Sequence, residues 1–524
     1  MSKVTANRSL HNFLQAQHSL TSVTLRNCKG LDQISICDTI ASASGNTLTH
    51  LDLSDSLLDP DDLPQLLQSL PSLTILNVSN SFYNLSKVFH AVATHATQLR
   101  VLESYANPSN PQQALECLGR SCTDLTRLVI GADHNLGHIL THCLSLQELA
   151  AHAEAPPDRC WRLGPTLPTP HPRHLLSQGL RAFSFSYPPG WEEKIPLYFL
   201  TNLKANCPSL ESLRVYCTSR RKKRTPGGLV GRLRVADLEA ICTPALRVLE
   251  ISSSILKSKP LFRRLGDAFF ATIAEKSPNI ERLYLGRTSI GDEGVQKFFE
   301  KVGRTIKSFH LESEKVTCLN LQSSEDEGHF LESLEVLKIQ RCPLLERVSV
   351  RCKYLRKLKT RKCRNLRHLH CESRILTLCH LRHTGQEDVV VRVSGGVEKV
   401  RLRKSTLGEV DIESNHLREL RIEECSMRSS CSERPLGLTI IHPHLRVLEV
   451  DVVCEVPALH VQCPGMIRMV LSDRTLRHLR HIVLRDMEYL STDTLELRMK
   501  ATCPPDATKE IIGCGGFVDW DAVD

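Results

Sequence analysis

The chain has 524 residues and a mass of 58.9 kDa, beyond the size at which one compact core normally stops growing, so we expect several domains or an elongated repeat array. Hydrophobic residues at 41% and charged residues at 24% are ordinary values for folded proteins and exclude wholesale disorder. The net charge of +9 matches the excess of 21 basic over 12 acidic residues within 334–425, so this segment alone accounts for it.

The N-terminal residues contain no secretory signal pattern, and no apolar run approaches the length of a membrane span. We therefore expect an intracellular, cytoplasmic protein. In a reducing compartment, the 21 cysteines should be free thiols rather than disulfides.

A recurring Leu-x-x-Leu-x-Leu pattern, the strand signature of leucine-rich repeats, runs along the chain. Good copies start at Leu20, Leu48, Leu73, Leu125, Leu210, Leu246, Ile280 and Leu334, and weaker copies at Leu99, Leu146, Leu180 and Ile306. The successive steps from Leu48 to Leu125 are 25, 26 and 26 residues, which leave room for one strand and one short helix per coil. We predict an N-terminal cap over residues 1–19 and strand-helix coils over residues 20–333.

Two helices of these coils can be read from the spacing of apolar residues. The i, i+3, i+4, i+7 pattern is carried by Leu63, Leu66, Leu67 and Leu70 and again by Val295, Phe298, Phe299 and Val302. A strand plus helix has an apolar face that it cannot cover alone, so neighbouring coils must stack. The sequence therefore predicts an α/β fold, a right-handed leucine-rich-repeat solenoid shaped as a horseshoe.

Cysteines occupy one recurring slot, three residues before the first leucine of a strand. They are Cys122, Cys143, Cys207, Cys342, Cys352 and Cys363. A small, soft, buried side chain suits this slot. Together with Cys207-Pro208-Ser209-Leu210 and the Gly291-Asp292-Glu293-Gly294 turn, the pattern resembles the cysteine-containing repeats of the F-box/LRR family.

From Leu334 the strand starts come 10 or 11 residues apart in two runs, which leaves no room for helices. The first run is Leu334, Leu345, Leu355, Leu366 and Leu376, and the second is Val397, Leu407 and Leu417. Each coil of about 21 residues should instead carry a second, outer strand. A slot after the inner strand holds small residues at this period: Cys342, Cys363, Thr384, Ser405 and Cys425. We predict short-period coils over residues 334–425, irregular terminal coils over residues 426–501 and a C-terminal tail over residues 502–524.

The resemblance to F-box/LRR proteins implies a role in substrate recognition within a cullin-RING (SCF-type) ubiquitin ligase. Members of that family carry an N-terminal helical F-box that docks on a Skp1-like adaptor. Because the first strand starts at Leu20, residues 1–19 have room for at most one helix, and we expect no recognisable F-box.

The chain shows no constellation of residues that would support catalysis. Phosphate-loop, nucleophile-elbow and zinc-protease motifs are all missing from the sequence. His368 and His370 form a recurring pair, which we expect to face opposite sides of a strand, so no metal site is predicted. We accordingly expect neither enzymatic activity nor a cofactor.

A basic run lies in a predicted loop and consists of Arg220, Arg221, Lys222, Lys223 and Arg224. Such a run suits the acidic grooves of a nuclear import receptor, which would bring the protein into the nucleus. A solvated surface loop is the alternative interpretation.

The central residue of each inner strand should point away from the core, onto the concave face. In the short-period coils this position holds Lys338, Lys359, His380, Arg401 and Arg421, which we name the basic ladder. With Lys357 beside it, the basic ladder is the predicted site for an acidic or phosphorylated protein segment. Glu398 and Glu419 are candidate counter-ions, and a merely solvated face is the alternative.

The sequence thus favours a non-enzymatic protein-interaction solenoid. Two alternatives to a ligase subunit stay open: a ubiquitin-independent scaffold or regulator, and a solenoid that binds RNA or another polyanion.

Overall fold

In the computed structural model of this protein, the chain forms two compact units, Met1–Ser258 and Lys259–Asp524. The structure describes residues 12–14, 16–17, 19–28, 33–56, 61–81, 85–104, 112–131, 143–152, 179–187, 207, 209–217, 239, 241–251, 265–322, 331–382, 388–427, 437–452, 458–464, 466–471, 475, 481–485, 495–497 and 508–512. Among these residues, no helix is long and apolar enough to span a bilayer.

The first unit alternates strands with helices in its N-terminal part. Its strands are β1 Ser22–Thr24, β2 His50–Asp52, β3 Ile75–Asn77, β4 Val101–Ser104, β5 Arg127–Gly131, β6 Glu148–His152, β7 Ala182–Tyr187, β8 Ser212–Cys217 and β9 Val248–Ile251. Its helices are α1 Gln33–Ser44, α2 Leu63–Gln68, α3 Leu85–His95 and α4 Gln112–Ser121. Each strand pairs in parallel with the next one along the chain.

Leucines of the repeat pattern form the core of this unit. Leu51, Leu76 and Leu102 are register partners on adjacent strands, and all are fully buried. Helix α2 packs Leu63, Leu66 and Leu67 inward, as their spacing predicts. The strand arrangement is that of leucine-rich repeats.

The second unit begins with helices and continues with strands alone. Its helices are α5 Asp267–Lys276 and α6 Asp292–Val302. Its strands are β10 Arg282–Thr288, β11 Ser308–Ser313, β12 Cys318–Gln322, β13 Val336–Gln340, β14 Arg347–Arg351, β15 Lys357–Arg361, β16 His368–Ser373, β17 Leu378–Arg382, β18 Val389–Gly395, β19 Lys399–Arg403, β20 Thr406–Glu413, β21 Glu419–Met427, β22 Gly437–Ile441, β23 Val447–Val452, β24 Ala458–Gln462, β25 Arg468–Leu471, β26 His481–Arg485, β27 Leu495–Leu497 and β28 Thr508–Ile512.

These strands form an inner sheet and outer strands that lie on the other side of the core. The inner sheet contains β10, β11, β13, β15, β17, β19, β21, β23, β25 and β27, all parallel and in that order. The outer strands β12, β14, β16, β18 and β20 pair with one another, and β22, β24, β26 and β28 form a further parallel sheet. From β13 to β19, successive inner strands are shifted by 21 residues, so Leu337 pairs with Leu358 and Leu358 with Cys379.

Among the five outer strands from β12 to β20, β12 and β18 have no counterpart among the strand starts predicted from the sequence. Strand β12 lies before Leu334, where the change to two strands per coil was expected. Its own Val316-x-x-Leu319-x-Leu321 run carries the repeat pattern, and these residues are buried. Strand β18 instead buries alternate valines, since simple period-two alternation is enough to form a strand.

Three cysteines of the recurring slot are buried free thiols. Cys342, Cys352 and Cys363 have at most 2% of their surface exposed. The Sγ of Cys352 donates to the carbonyl oxygens of Leu331 and Leu334 at 3.3 and 3.4 Å, which ties one coil to the preceding one. The slot therefore accepts a small side chain with a weak donor.

Replacing Leu358 with Ala should lower the free energy of unfolding by about 2–5 kcal/mol, because it opens a cavity in a fully buried column between coils. Denaturant titration followed by circular dichroism measures the loss. Arg356→Ala, at an exposed position two residues earlier, serves as the control and should change it little. Equal stability of the Leu358→Ala variant would contradict the assigned register.

Cys342, Cys363 and Cys425 should resist alkylation in the native protein, because burial raises the pKa of Cys425 to about 12 and leaves none of these thiols accessible. Mass spectrometry after iodoacetamide treatment, with and without denaturant, tests this. Rapid native labelling of the three would contradict their placement, and a disulfide among them in freshly purified protein would contradict the prediction of free thiols.

Candidate functional site

The basic ladder lies across five adjacent strands of the inner sheet. Register pairing links Lys338 to Lys359, Lys359 to His380, His380 to Arg401 and Arg401 to Arg421. On each strand the flanking apolar residues face the core, so the residue between them must face the other way. The ladder residues are therefore neighbours about 4.8 Å apart along the sheet.

Lys357 extends the ladder along β15. It lies two residues before Lys359 on the same strand, with buried Leu358 between them, and so shares its face. Lys357 is exposed, whereas Lys359 is partly buried.

Glutamates neutralise the C-terminal end of the basic ladder. The Glu419 carboxylate lies 2.8 Å from Nη2 of Arg401 and 2.6 Å from Nε of Arg421, and also contacts Lys399. Burial alone would raise the pKa of Glu419, but hydrogen bonds from Arg401 and Lys399 outweigh it and hold the pKa below its ordinary value. Glu449 adds a second acid partner for Arg421 at 3.2 Å. Glu398, the other candidate counter-ion, forms no ion pair with any described residue.

The N-terminal end of the ladder lacks such partners. Within the part of the chain that the structure describes, Lys338, Lys357 and Lys359 form no ion pair. Desolvation, followed by repulsion from Lys338, Lys357 and Arg401, lowers the pKa of Lys359. The three lysines thus form a cluster of positive charge that no acid among the described residues balances.

The pKa of His380 is also affected by the positive charges of the ladder. Burial lowers its pKa, and the positive charges of Lys359, Arg401, Arg382 and Arg403 lower it further, to about 4. The ring is therefore neutral at physiological pH, and the ladder carries four charges rather than five.

A second row of arginines lies beside the basic ladder and was missed in the sequence. Arg361, Arg382 and Arg403 are register partners two residues after the ladder position. The period-two rule that placed Lys357 on this face applies equally to them, so the signal was available. Arg403 pairs with Glu423 and Glu424, each at 3.2 Å. Arg382 has no ion pair within the described residues, and its Nε is buried without a hydrogen-bond partner.

An aromatic pair lies next to the N-terminal end of the basic ladder. The rings of Tyr284 and His310 stack with centroids 4.1 Å apart, and His310 is the register partner of Lys338. Buried Glu312 accepts hydrogen bonds from the Tyr284 hydroxyl and from Arg341. Burial, then the charges of Lys338 and Arg341, lower the pKa of His310 to about 3.

The expectation that His368 and His370 face opposite sides of their strand was wrong. The two residues flank buried Leu369 on β16 and share the outer face, because residues two apart in a strand point the same way. No group of three or more potential metal ligands occurs among the described residues, so the pair has no further ligands there. The predicted import run, Arg220 to Arg224, lies outside the described residues.

Comparisons with known proteins add little to this geometry. No protein-family model matches the sequence, and no curated protein matches it. One similar solved structure, the Rad7 and Elc1 complex in yeast, is 14% identical, covers 66% of this chain and 79% of that chain, and has a TM-score of 0.33. Another, the TLR13-ssRNA13 complex, is 14% identical and has a TM-score of 0.34. That match covers 90% of this chain and 81% of that chain. TM-scores this low support no conclusion about function.

Replacing Lys359 with Gln should raise the pKa of His380, because it removes the positive charge that opposes protonation most strongly. Histidine ring resonances followed by NMR from about pH 3 to about pH 8 measure this value. Arg392→Gln, on the outer strand β18, should leave it unchanged. A wild-type pKa near the ordinary value of about 6.5 would contradict the assigned environment.

Proposed function

We propose that this chain is a non-enzymatic leucine-rich-repeat interaction protein whose basic ladder, with Lys357, binds an acidic or phosphorylated protein segment. The observation that carries the proposal is the uncompensated charge of Lys338, Lys357 and Lys359, which stand on two adjacent strands without an acid partner in the described chain. In this proposal the coils form a right-handed solenoid, the usual hand of parallel crossovers.

An acidic ligand would relieve the repulsion that the fold imposes on these lysines. Like charges on directly adjacent strands destabilise a sheet, and nothing on β13 or β15 offsets them, since the remaining outward residues there are Val336, Gln340 and Arg361. Arg supplies bidentate contacts to carboxylate or phosphate, and Lys supplies point charges. The strands hold both types on one face.

Arg401 and Arg421 have a different role in this proposal. Both bind Glu419, which is only 8% exposed, so replacing either with Glu would place two carboxylates together in a poorly solvated position. The two arginines therefore stabilise the sheet through their ion pairs with Glu419. Their remaining N–H donors add to the binding surface.

Changing Lys338, Lys357 and Lys359 together to Glu should weaken binding of a fluorescein-labelled oligo-aspartate peptide at least about tenfold, because attraction becomes repulsion. Fluorescence anisotropy with the full chain measures the affinity. The matched control changes Lys353, Arg356 and Arg364 to Glu, the same charge reversal at exposed positions outside the strands.

Equal affinity in the folded triple variant would rule out this site. A labelled RNA that binds more tightly than the peptide, with a steep dependence on salt, would instead favour the polyanion-binding alternative.

From the F-box/LRR resemblance we further propose that the protein is a substrate-recognition subunit of a cullin-RING ubiquitin ligase. The buried cysteine slot of its coils supports this assignment. Pull-down with a purified Skp1-like adaptor tests it, and failure to bind would favour a ubiquitin-independent scaffold.

We place this activity in the cytoplasm, with entry to the nucleus if Arg220 to Arg224 act as an import signal. Imaging of a tagged chain with and without these five residues tests that assignment.

A further inference from the structure

His380 lies at the centre of the cationic face. Strand β17 runs between β15 and β19, so the ring has Lys359 as register partner on one side and Arg401 on the other. Further groups face it from both neighbouring strands and from its own: Lys357 and Arg361 on β15, Lys399 and Arg403 on β19, and Arg382 on β17. None of the residues on this face of the three strands is acidic.

The charges on the two sides of His380 are not equivalent. All three cations of β19 already contact glutamates of β21, namely Lys399 and Arg401 with Glu419 and Arg403 with Glu423 and Glu424. On the β15 side, Lys357 and Lys359 have no acid partner in the described chain, and on β17 itself neither has Arg382. The unbalanced positive charge is therefore centred between β15 and β17.

The Arg382 side chain has an incomplete set of partners. Its Nε is buried and makes no hydrogen bond, although buried donors in proteins are nearly always paired. Nε of Arg401, Arg403 and Arg421 also lacks a hydrogen bond, but those three arginines form ion pairs with glutamates, whereas Arg382 forms none within the described residues. An arginine offers a planar fork that matches a carboxylate in bidentate geometry.

We propose that the acidic segment places a carboxylate between Lys359 and Arg382, over the ring of His380, and that His380 takes up one proton from solvent as the segment binds. This inference rests on the proposed binding function. It adds Arg382 to the binding residues and makes the affinity depend on pH.

The direction of the pH dependence follows from the charges. In the free protein burial and four cations hold the pKa of His380 near 4, whereas a carboxylate placed within about 4–6 Å favours the charged ring. If the pKa in the complex returns to the ordinary value of about 6.5, affinity rises about tenfold from about pH 7.5 to about pH 5.5. Aspartate, with an ordinary pKa of about 3.9, stays ionised over this range, so the ligand does not produce the effect.

The test measures the affinity of the full chain for labelled oligo-aspartate across this pH range by fluorescence anisotropy. Wild-type protein should bind about tenfold more tightly at the lower pH, and His380→Gln should remove this dependence. His380→Lys, which is charged throughout, should bind tightly at every pH. A labelled oligo-asparagine peptide of equal length controls for contacts that do not involve charge.

Arg382→Gln tests the position of the carboxylate. It should weaken binding about tenfold or more, as expected for loss of a charge-assisted bidentate contact. The matched control is Arg403→Gln, in the same row of arginines on the next inner strand. Arg403 already pairs with Glu423 and Glu424, so its replacement should weaken peptide binding much less. Melting temperatures of all variants establish that they are folded.

The possible failures are distinguishable. Absence of oligo-aspartate binding at every pH overturns both the proposed function and this inference. Binding that is independent of pH, or a pH dependence that persists in His380→Gln, overturns the inference and leaves the proposed function standing. Greater sensitivity to Arg403→Gln than to Arg382→Gln overturns the placement of the carboxylate.

Discussion

Stacking of one coil on the next, in register, is the interaction on which the rest of the structure depends. A single coil has an apolar face that it cannot cover alone, so each coil is stable only beside its neighbours. In the short-period coils this stacking buries Leu337, Leu358, Cys379 and Val400 completely, as one column. Because the strands are parallel and in register, residues that recur every 21 residues at an outward-facing position form a second column, with neighbours about 4.8 Å apart, on the opposite face.

The two units differ in how the charges on the open face of their sheets are balanced. On the first unit, charges at the open face are balanced within the sheet, as between Arg214 and Glu250 or between Arg127 and the glutamates Glu103 and Glu148. On the second unit, the same rule places lysine beside lysine on β13 and β15. Among the described strands that follow, the charge is balanced at β21, where Glu419 contacts three cations. The fold therefore holds an unbalanced charge that its own described residues do not compensate, which is the physical basis for a ligand of opposite sign.

His380 can change the charge of the basic ladder by taking up a proton from solvent. A neutral imidazole between Lys359 and Arg401 lessens the repulsion in the free protein, since a third cation there would add to it. The same ring is available to become charged when an anion arrives. Histidine is suited to this position because moderate changes in its surroundings move its pKa across the physiological range.

The sequence by itself determined the positions of the inner strands that carry the basic ladder and the face on which the ladder lies. Leu-x-x-Leu-x-Leu placed β13, β15 and β17, and period-two alternation put Lys338 and Lys359 on the open face, because both patterns are local. The same rule was misapplied to His368 and His370 and not extended to Arg382. Strand β18 was not predicted, because it lacks the leucine pattern and shows only the alternation of buried valines. Only the tertiary structure decided which cations have partners: Glu419 reaches Arg401 across 18 residues of sequence, and such pairing depends on register and rotamers that no local pattern encodes.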